Sequence, residues 1–307
     1  MSKSRKLKII VVSVFLFLVS VGLVQGSPAA SNQPLTIVIS FTILQDFAQN
    51  VVGPSGDVRV LSQIGAEVHE WELTPRNFMD LEQADILFYN GLNVEQWMGQ
   101  VRATVRAGVP IIAVGEECTF PTRPIVTGDY AGYPDPHIWM DPFGAIAYVE
   151  VIRDALMEHD PVNADRYRKN ADTYIDSLHT LHQQLQDTLE TIPEENRTLI
   201  TTEAAFIYLA GAYGLYHDAV WGTNTEEEGT PQQMMRIMRL VTERNPLGIF
   251  WESTGSPRYA LSISADTNTP VYGPLYVDSV DSDSSGAETY VKMMQSNAAL
   301  LVKVLAP

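Results

Sequence analysis

Residues Asn163 to Glu190 run for 28 positions without a glycine or a proline. As a continuous helix rising about 1.5 Å per residue, the stretch would span roughly 40 Å, enough to cross a two-lobed assembly. A single rod of this kind is a stiff connector, whereas two short loops between lobes would permit hinge closure. The stretch therefore predicts two bodies held at a fixed separation, and the sequence on either side supplies them.

On the N-terminal side, β-branched and aliphatic runs alternate with amphipathic segments. Leu35 to Ser40, Val58 to Ile64, Asp85 to Tyr89 and Pro110 to Val114 read as strands. Ile43 to Val52, Thr74 to Ala84 and Val94 to Ala107 read as helices; Thr74 is placed to cap the second, and Pro75 suits its first turn. A further helix, Phe143 to Glu158, leads into the long stretch. The C-terminal side repeats the rhythm, with strands at Leu199 to Thr202, Asp218 to Trp221, Leu247 to Trp251 and Val271 to Leu275. Helices are expected at Phe206 to Tyr213, Pro231 to Glu243, Pro257 to Thr267 and Ala287 to Leu305. Strand–helix alternation twice over predicts an α/β fold of two lobes with mainly parallel four-stranded sheets. The expected divisions are 35–162, a linking helix over 163–192, and 193–307.

The first residues bear on compartment. Lys3, Arg5, Lys6 and Lys8 precede an apolar run from Ile9 to Val24, followed by small and polar residues. This is the pattern of an export signal over 1–26, with a Ser/Pro/Ala/Asn connector over 27–34, and the run is short for a membrane span. An exported, periplasmic or extracytoplasmic soluble protein is expected; an uncleaved signal would leave it tethered. No cysteine lies near the cleavage position, so no lipid anchor on a lipobox cysteine is expected. The lone Cys118 cannot form an internal disulfide and is expected to be a small buried apolar residue. Lys plus Arg number 20 against 37 Asp plus Glu, a net of −17, and such a surface repels a phosphate backbone.

Four residues stand where strands give way to helices: His69 in Gly65-Ala66-Glu67-Val68-His69-Glu70-Trp71, His137 in Asp135-Pro136-His137-Ile138-Trp139, Glu203 in Thr201-Thr202-Glu203, and Asp278 in Tyr276-Val277-Asp278-Ser279. Ligands of open α/β sheets collect beyond the carboxyl ends of strands. Two imidazoles and two carboxylates in such places suit one divalent metal in an interlobe cleft. Taken singly, each histidine reads more readily as a hydrogen-bonded structural residue, and Glu203 as a solvated loop acid or a helix N-terminal charge.

These stretches, with Thr223-Asn224-Thr225-Glu226-Glu227-Glu228-Gly229-Thr230-Pro231, Glu252-Ser253-Thr254 and Gly273-Pro274-Leu275, resemble the metal-specific solute-binding proteins of ABC importers, the cluster A-I (cluster 9) group, in its manganese/iron-type subgroup. The resemblance covers essentially the whole chain after the leader. It implies two βα lobes joined by one long rigid helix, a metal held by His69, His137, Glu203 and Asp278, delivery to membrane permease subunits, a monomer, and no enzymatic activity. Zinc-dedicated members carry a third histidine where this chain has Glu203, and often a His-rich loop that Glu116 to Pro136 does not contain. A His₂-carboxylate₂ set supplies hard oxygens and allows a higher coordination number, so Mn²⁺ is the expected cargo, with Fe²⁺ next and Zn²⁺ as the alternative.

Other features read as bystanders. His179 and His182 share one face of the long helix without a fixed carboxylate partner, and His159 and His217 read as surface or cap residues. Asp281-x-Asp283-x-Ser285-Gly286 begins like a calcium loop, but Lys292 stands where a bidentate glutamate is required. Glu226 to Glu228 is expected to be a solvated run before the helix started by Thr230 and Pro231; the resemblance places it close to the cleft. A metallohydrolase would need an open coordination position and a general base, and neither H-E-x-x-H nor G-x-S-x-G is present. A secondary role in cell adhesion leaves no feature to argue from.

Overall fold

Eight short strands form two sheets with the same internal order. In the first, β1 (Thr36–Ile39), β2 (Asp57–Val60), β3 (Ile86–Tyr89) and β4 (Ile111–Ala113) pair in parallel as β2-β1-β3-β4. In the second, β5 (Thr198–Glu203), β6 (Tyr216–Trp221), β7 (Ile249–Glu252) and β8 (Val271–Leu275) pair in parallel as β6-β5-β7-β8. These are features of a computed structural model that describes residues 35–54, 56–223, 228–282 and 285–307. The expected signal and connector, Glu226, Glu227 and Asp283 lie outside the described residues. Among those described, no helix is long and apolar enough to cross a membrane.

The first lobe carries α1 (Thr42–Val52), α2 (Pro75–Gln83), α3 (Met98–Thr104) and the single turn α4 (Val114–Glu117), then α5 (Pro142–His159). Thr74 and Asn77 form a capping box at the start of α2, which fixes where the chain leaves the His69 loop. The third helix begins later than the run from Val94 suggested. Leu92 and Asn93 have positive φ, and the Glu95 carboxylate turns back to accept from the amides of Asn90 at 2.7 Å and Gly91 at 3.1 Å. A residue committed to the preceding turn in this way holds the segment out of helix. Strand β2 stops at Val60, short of the expected Ile64, which is left exposed. Cys118 closes α4 and is half-buried rather than buried.

The long stretch forms α6 (Ala164–Leu189), 26 residues. Tyr167, Ala171, Tyr174, Leu178, Leu181, Leu185 and Leu189 are its buried residues, spaced by threes and fours along one stripe. That stripe packs on α1 and α5 and on α10 (Tyr290–Leu305) of the C-terminal half. The lobes are thereby sewn together: Asp46 of α1 accepts from the Tyr174 hydroxyl of α6 at 2.8 Å and from the Tyr290 amide of α10 at 3.3 Å. Phe47 meets Tyr290 edge-on, with ring centroids 4.9 Å apart. One hydrophobic core runs from the first sheet through α5 and α6 into α7 (Ile207–Tyr213) and α10. A separate core lies under α8 (Pro231–Arg244) and α9 (Arg258–Thr267). The last helix starts at Tyr290 rather than Ala287 because the Thr289 hydroxyl accepts the Lys292 amide and caps it there.

Candidate metal centre

The four expected ligands converge. His69 lies in the β2–α2 connection, His137 just before a 3-10 turn (Ile138–Met140), Glu203 at the last position of β5, and Asp278 in the loop after β8. Glu203 Oε1 is 3.8 Å from Nε2 of His69 and 3.7 Å from Nε2 of His137, and Asp278 Oδ1 is 3.8 Å from that same His137 nitrogen. These separations are too long for hydrogen bonds and suit donors grouped around a common cation. All four residues are at most 1% exposed.

Neither ring nitrogen of His69, nor Nε2 of His137, has a hydrogen-bond partner at bonding geometry. Buried polar atoms are costly to leave unpaired, so a cluster of them requires an explanation. Burial drives the His69 imidazolium down to about 3, with His137 pushing the same way, so His69 presents a neutral ring with a lone pair. Burial likewise raises Asp278 to about 6; His137 and the nearby Thr254 hydroxyl oppose the rise and Asp135 adds to it. His137 is raised: burial pulls it down, but Asp135, Asp278 and Glu67 together outweigh that. A divalent ion would satisfy the orphan nitrogens of His69 and His137 and the Asp278 carboxylate at once, which is what this donor set is chemically suited to do.

Neighbouring residues hold these side chains in place. Asp135 Oδ1 accepts from the His137 backbone amide at 2.9 Å and lies 3.0 Å from Nδ1, leaving Nε2 to face Glu203 and Asp278. The Asp135 carbonyl in turn accepts from the Tyr208 hydroxyl of α7 at 2.7 Å. The Val68 carbonyl accepts from Trp97 Nε1 at 2.8 Å, anchoring the His69 loop. Glu252 at the end of β7 is fully buried, accepts from the amides of Thr202 at 3.1 Å and Glu203 at 3.2 Å, and takes the Thr202 hydroxyl on its other oxygen. Burial raises its carboxyl to about 7 against those hydrogen bonds. The sequence reading assigned no role to Asp135, Glu67 or Glu252. An acid two positions before each histidine was the available signal for the first two; Glu252 pairs with residues 49 and 50 positions away and had none.

Glu67 Oε1 accepts the His69 amide at 3.1 Å, and a Glu67 carboxylate oxygen lies within 4.8 Å of donor atoms of His69 and Asp278.

The fold has counterparts among known proteins. The profile of the family described as "Zinc-uptake complex component A periplasmic" matches residues 37–304. The chain belongs to that family. The iron-binding protein YfeA of Yersinia pestis is 35% identical over 281 residues, 92% of this chain and 89% of that protein. The manganese-binding lipoprotein MntA of Halalkalibacterium halodurans is 36% identical over 275 residues, 90% of each. Among solved structures, a manganese-bound mutant of the periplasmic metal binding protein from Candidatus Liberibacter asiaticus superposes with a TM-score of 0.81 at 28% identity, covering 89% of this chain and all of that one. Members of the zinc-uptake component family are metal-binding components of ABC transporters, and the two-sheet α/β fold expected from the sequence is the fold they share.

Within this family member the remaining expected bystanders divide. His159 is exposed in the last turn of α5. His179 is exposed and His182 half-buried, where its ring lies 4.5 Å from that of Phe143 and its Nδ1 3.2 Å from the Tyr213 hydroxyl. His217 is not a surface or cap residue. It is buried on β6 with Nε2 2.8 Å from the Thr201 hydroxyl, and burial lowers it to about 3. Side chains on a strand alternate faces, and the alternation turns this one inward. Asp281 is occupied by the Tyr276 hydroxyl and the Ser282 amide. Glu228 is exposed, and its carboxyl is raised by partial burial and by Glu70 against the pull of Arg258.

Proposed function

We propose that this protein is an extracytoplasmic receptor that captures a divalent transition metal, Mn²⁺ first and Fe²⁺ next, and hands it to the permease subunits of an ABC importer. The observation that carries the reading is the buried cluster of His69, His137, Glu203 and Asp278, in which both ring nitrogens of His69 and Nε2 of His137 meet no partner at bonding geometry. The lobes 35–162 and 193–307 flank the ion, held at a fixed separation by the linking helix over 163–192, as a monomer.

The metal preference rests on Glu203. A carboxylate at that position offers one or two hard oxygens where a third imidazole would complete a nitrogen-rich tetrahedron, and this favours ions that accept higher coordination numbers. Relatives named for manganese and for iron support this choice. The family's zinc-uptake description and the intrinsic affinity order of divalent ions keep Zn²⁺ as the competing cargo. Four protein ligands leave little room for an activated water, which argues against catalysis. The net charge of −17 argues against nucleic acid as a partner. Export is the reading of the N-terminal segment, and relatives such as MntA are named as lipoproteins.

Equilibrium dialysis of purified protein against Mn²⁺, Fe²⁺ and Zn²⁺ with elemental analysis is the direct test. One equivalent of bound metal, abolished in Glu203→Ala and Asp278→Ala, is expected. A folded wild type that retains no transition metal would sink the proposal.

A further inference from the structure

Asp278 belongs to the C-terminal half by sequence, but the residues around it are bonded to the first lobe. The Val277 carbonyl accepts from Trp139 Nε1 at 2.8 Å. The Ser279 hydroxyl accepts from the Gly65 amide at 2.8 Å and from the Thr42 hydroxyl at 3.2 Å, and donates to the Val280 carbonyl at 2.6 Å. The Val280 amide donates to the Thr42 hydroxyl at 3.1 Å. Thr42 opens α1, Gly65 stands four residues before His69, and Trp139 two residues after His137. Trp139 is itself fixed by its carbonyl, which accepts from the Tyr290 hydroxyl at 2.7 Å.

Both hydroxyls are buried and hydrogen-bonded. Ser279 donates once and accepts twice, the whole capacity of a hydroxyl, and Thr42 donates once and accepts once. The Gly65 amide reaches Ser279 from a backbone with φ of +74°, a conformation that favours glycine. By contrast, neither Asp278 carboxylate oxygen meets a donor at bonding geometry. The orientation of that carboxylate toward His137 is thus set by the backbone on either side of it, and that backbone is held from across the cleft.

We infer that Thr42 and Ser279 are positioning residues, forming an interlobe latch that holds Asp278 at the ion and must part before the ion can leave. The inference rests on the metal-receptor reading above. Thr42→Val and Ser279→Ala remove the latch without touching a ligand, whereas Thr42→Ser keeps the hydroxyl.

The test follows release of Mn²⁺ from loaded full-length protein into excess chelator by stopped flow, with thermal midpoints measured loaded and metal-free. Each of Thr42→Val and Ser279→Ala removes two hydrogen bonds between the lobes, which predicts release faster by roughly five- to 100-fold. The double variant should fall short of the product of the two, because the two hydroxyls bond each other. Thr42→Ser should release at the wild-type rate. The gap between loaded and metal-free midpoints should narrow in the latch variants. Wild-type release rates in both single variants, or loaded and metal-free midpoints that fall in parallel, overturn the latch. A wild type that holds no metal overturns the receptor reading instead.

Discussion

Asp135 Oδ1 lies 3.0 Å from Nδ1 of His137 and receives the same residue's backbone amide at 2.9 Å. One carboxylate oxygen therefore fixes both the main chain and the ring. It selects the tautomer with the proton on Nδ1 and leaves the Nε2 lone pair for the cation. Replacing Asp135 by Ala should lower metal affinity by roughly 10- to 100-fold, the range found when the hydrogen-bond partner of a metal-bound histidine is removed. Competition against a chelator of known affinity measures this, and an unchanged affinity would remove Asp135 from the site's design.

Position 203 should control cargo. Glu203→His replaces hard oxygen by imidazole nitrogen, and the ratio of Mn²⁺ to Zn²⁺ affinity should drop on the order of tenfold or more, about 1.4 kcal/mol for each factor of ten. Parallel titrations with the two ions check it. A ratio that rises would show that preference is set elsewhere.

Metal capture should weaken in acid. Asp278 is raised to about 6, and His137 is also raised, so both bind protons more readily than free side chains do. A proton on either must leave before the ion binds, and affinity should fall as pH drops through about 6. His69, lowered to about 3, stays neutral across this range and contributes no such loss. Isothermal titration between pH 5 and 8 in buffers of different ionisation enthalpy would count the released protons. An affinity independent of pH over that range would contradict the assignment.

The linking helix should behave as core. Leu178 is fully buried on the stripe of α6 that faces α1, α5 and α10. Leu178→Ala should cost about 2–5 kcal/mol, the usual range for a buried leucine truncated to leave a cavity. Urea unfolding reads the loss directly. Metal affinity of the folded fraction should stay near wild type, because the substitution leaves the cleft loops untouched.

Much of the architecture was legible because it depends on local periodicity. Strands of the first lobe, the stripe of α6 and the Thr74 cap follow from apolar spacing and from which side chains reach a helix's first amides. The departures arose where a side chain serves a distant backbone. The start of α3 is delayed by Glu95, which binds the turn after β3 and the Ser40 hydroxyl beyond β1, at 2.7 Å. His217 lies buried because β6 turns it toward Thr201, a neighbour sixteen positions away.

The sequence by itself determined that this chain would build two parallel α/β halves on a continuous helix, and it placed two histidines and two acids beyond strand ends. Periodicity and residue chemistry suffice for that. Only the tertiary structure decided that those four side chains meet, that Asp135 and Glu252 brace them, and that the segment carrying Asp278 is fastened to the opposite lobe. The bonds responsible join residues up to 238 positions apart. Contacts at such separation are set by how the lobes pack through α6 and α10, and that packing leaves no periodic trace along the chain.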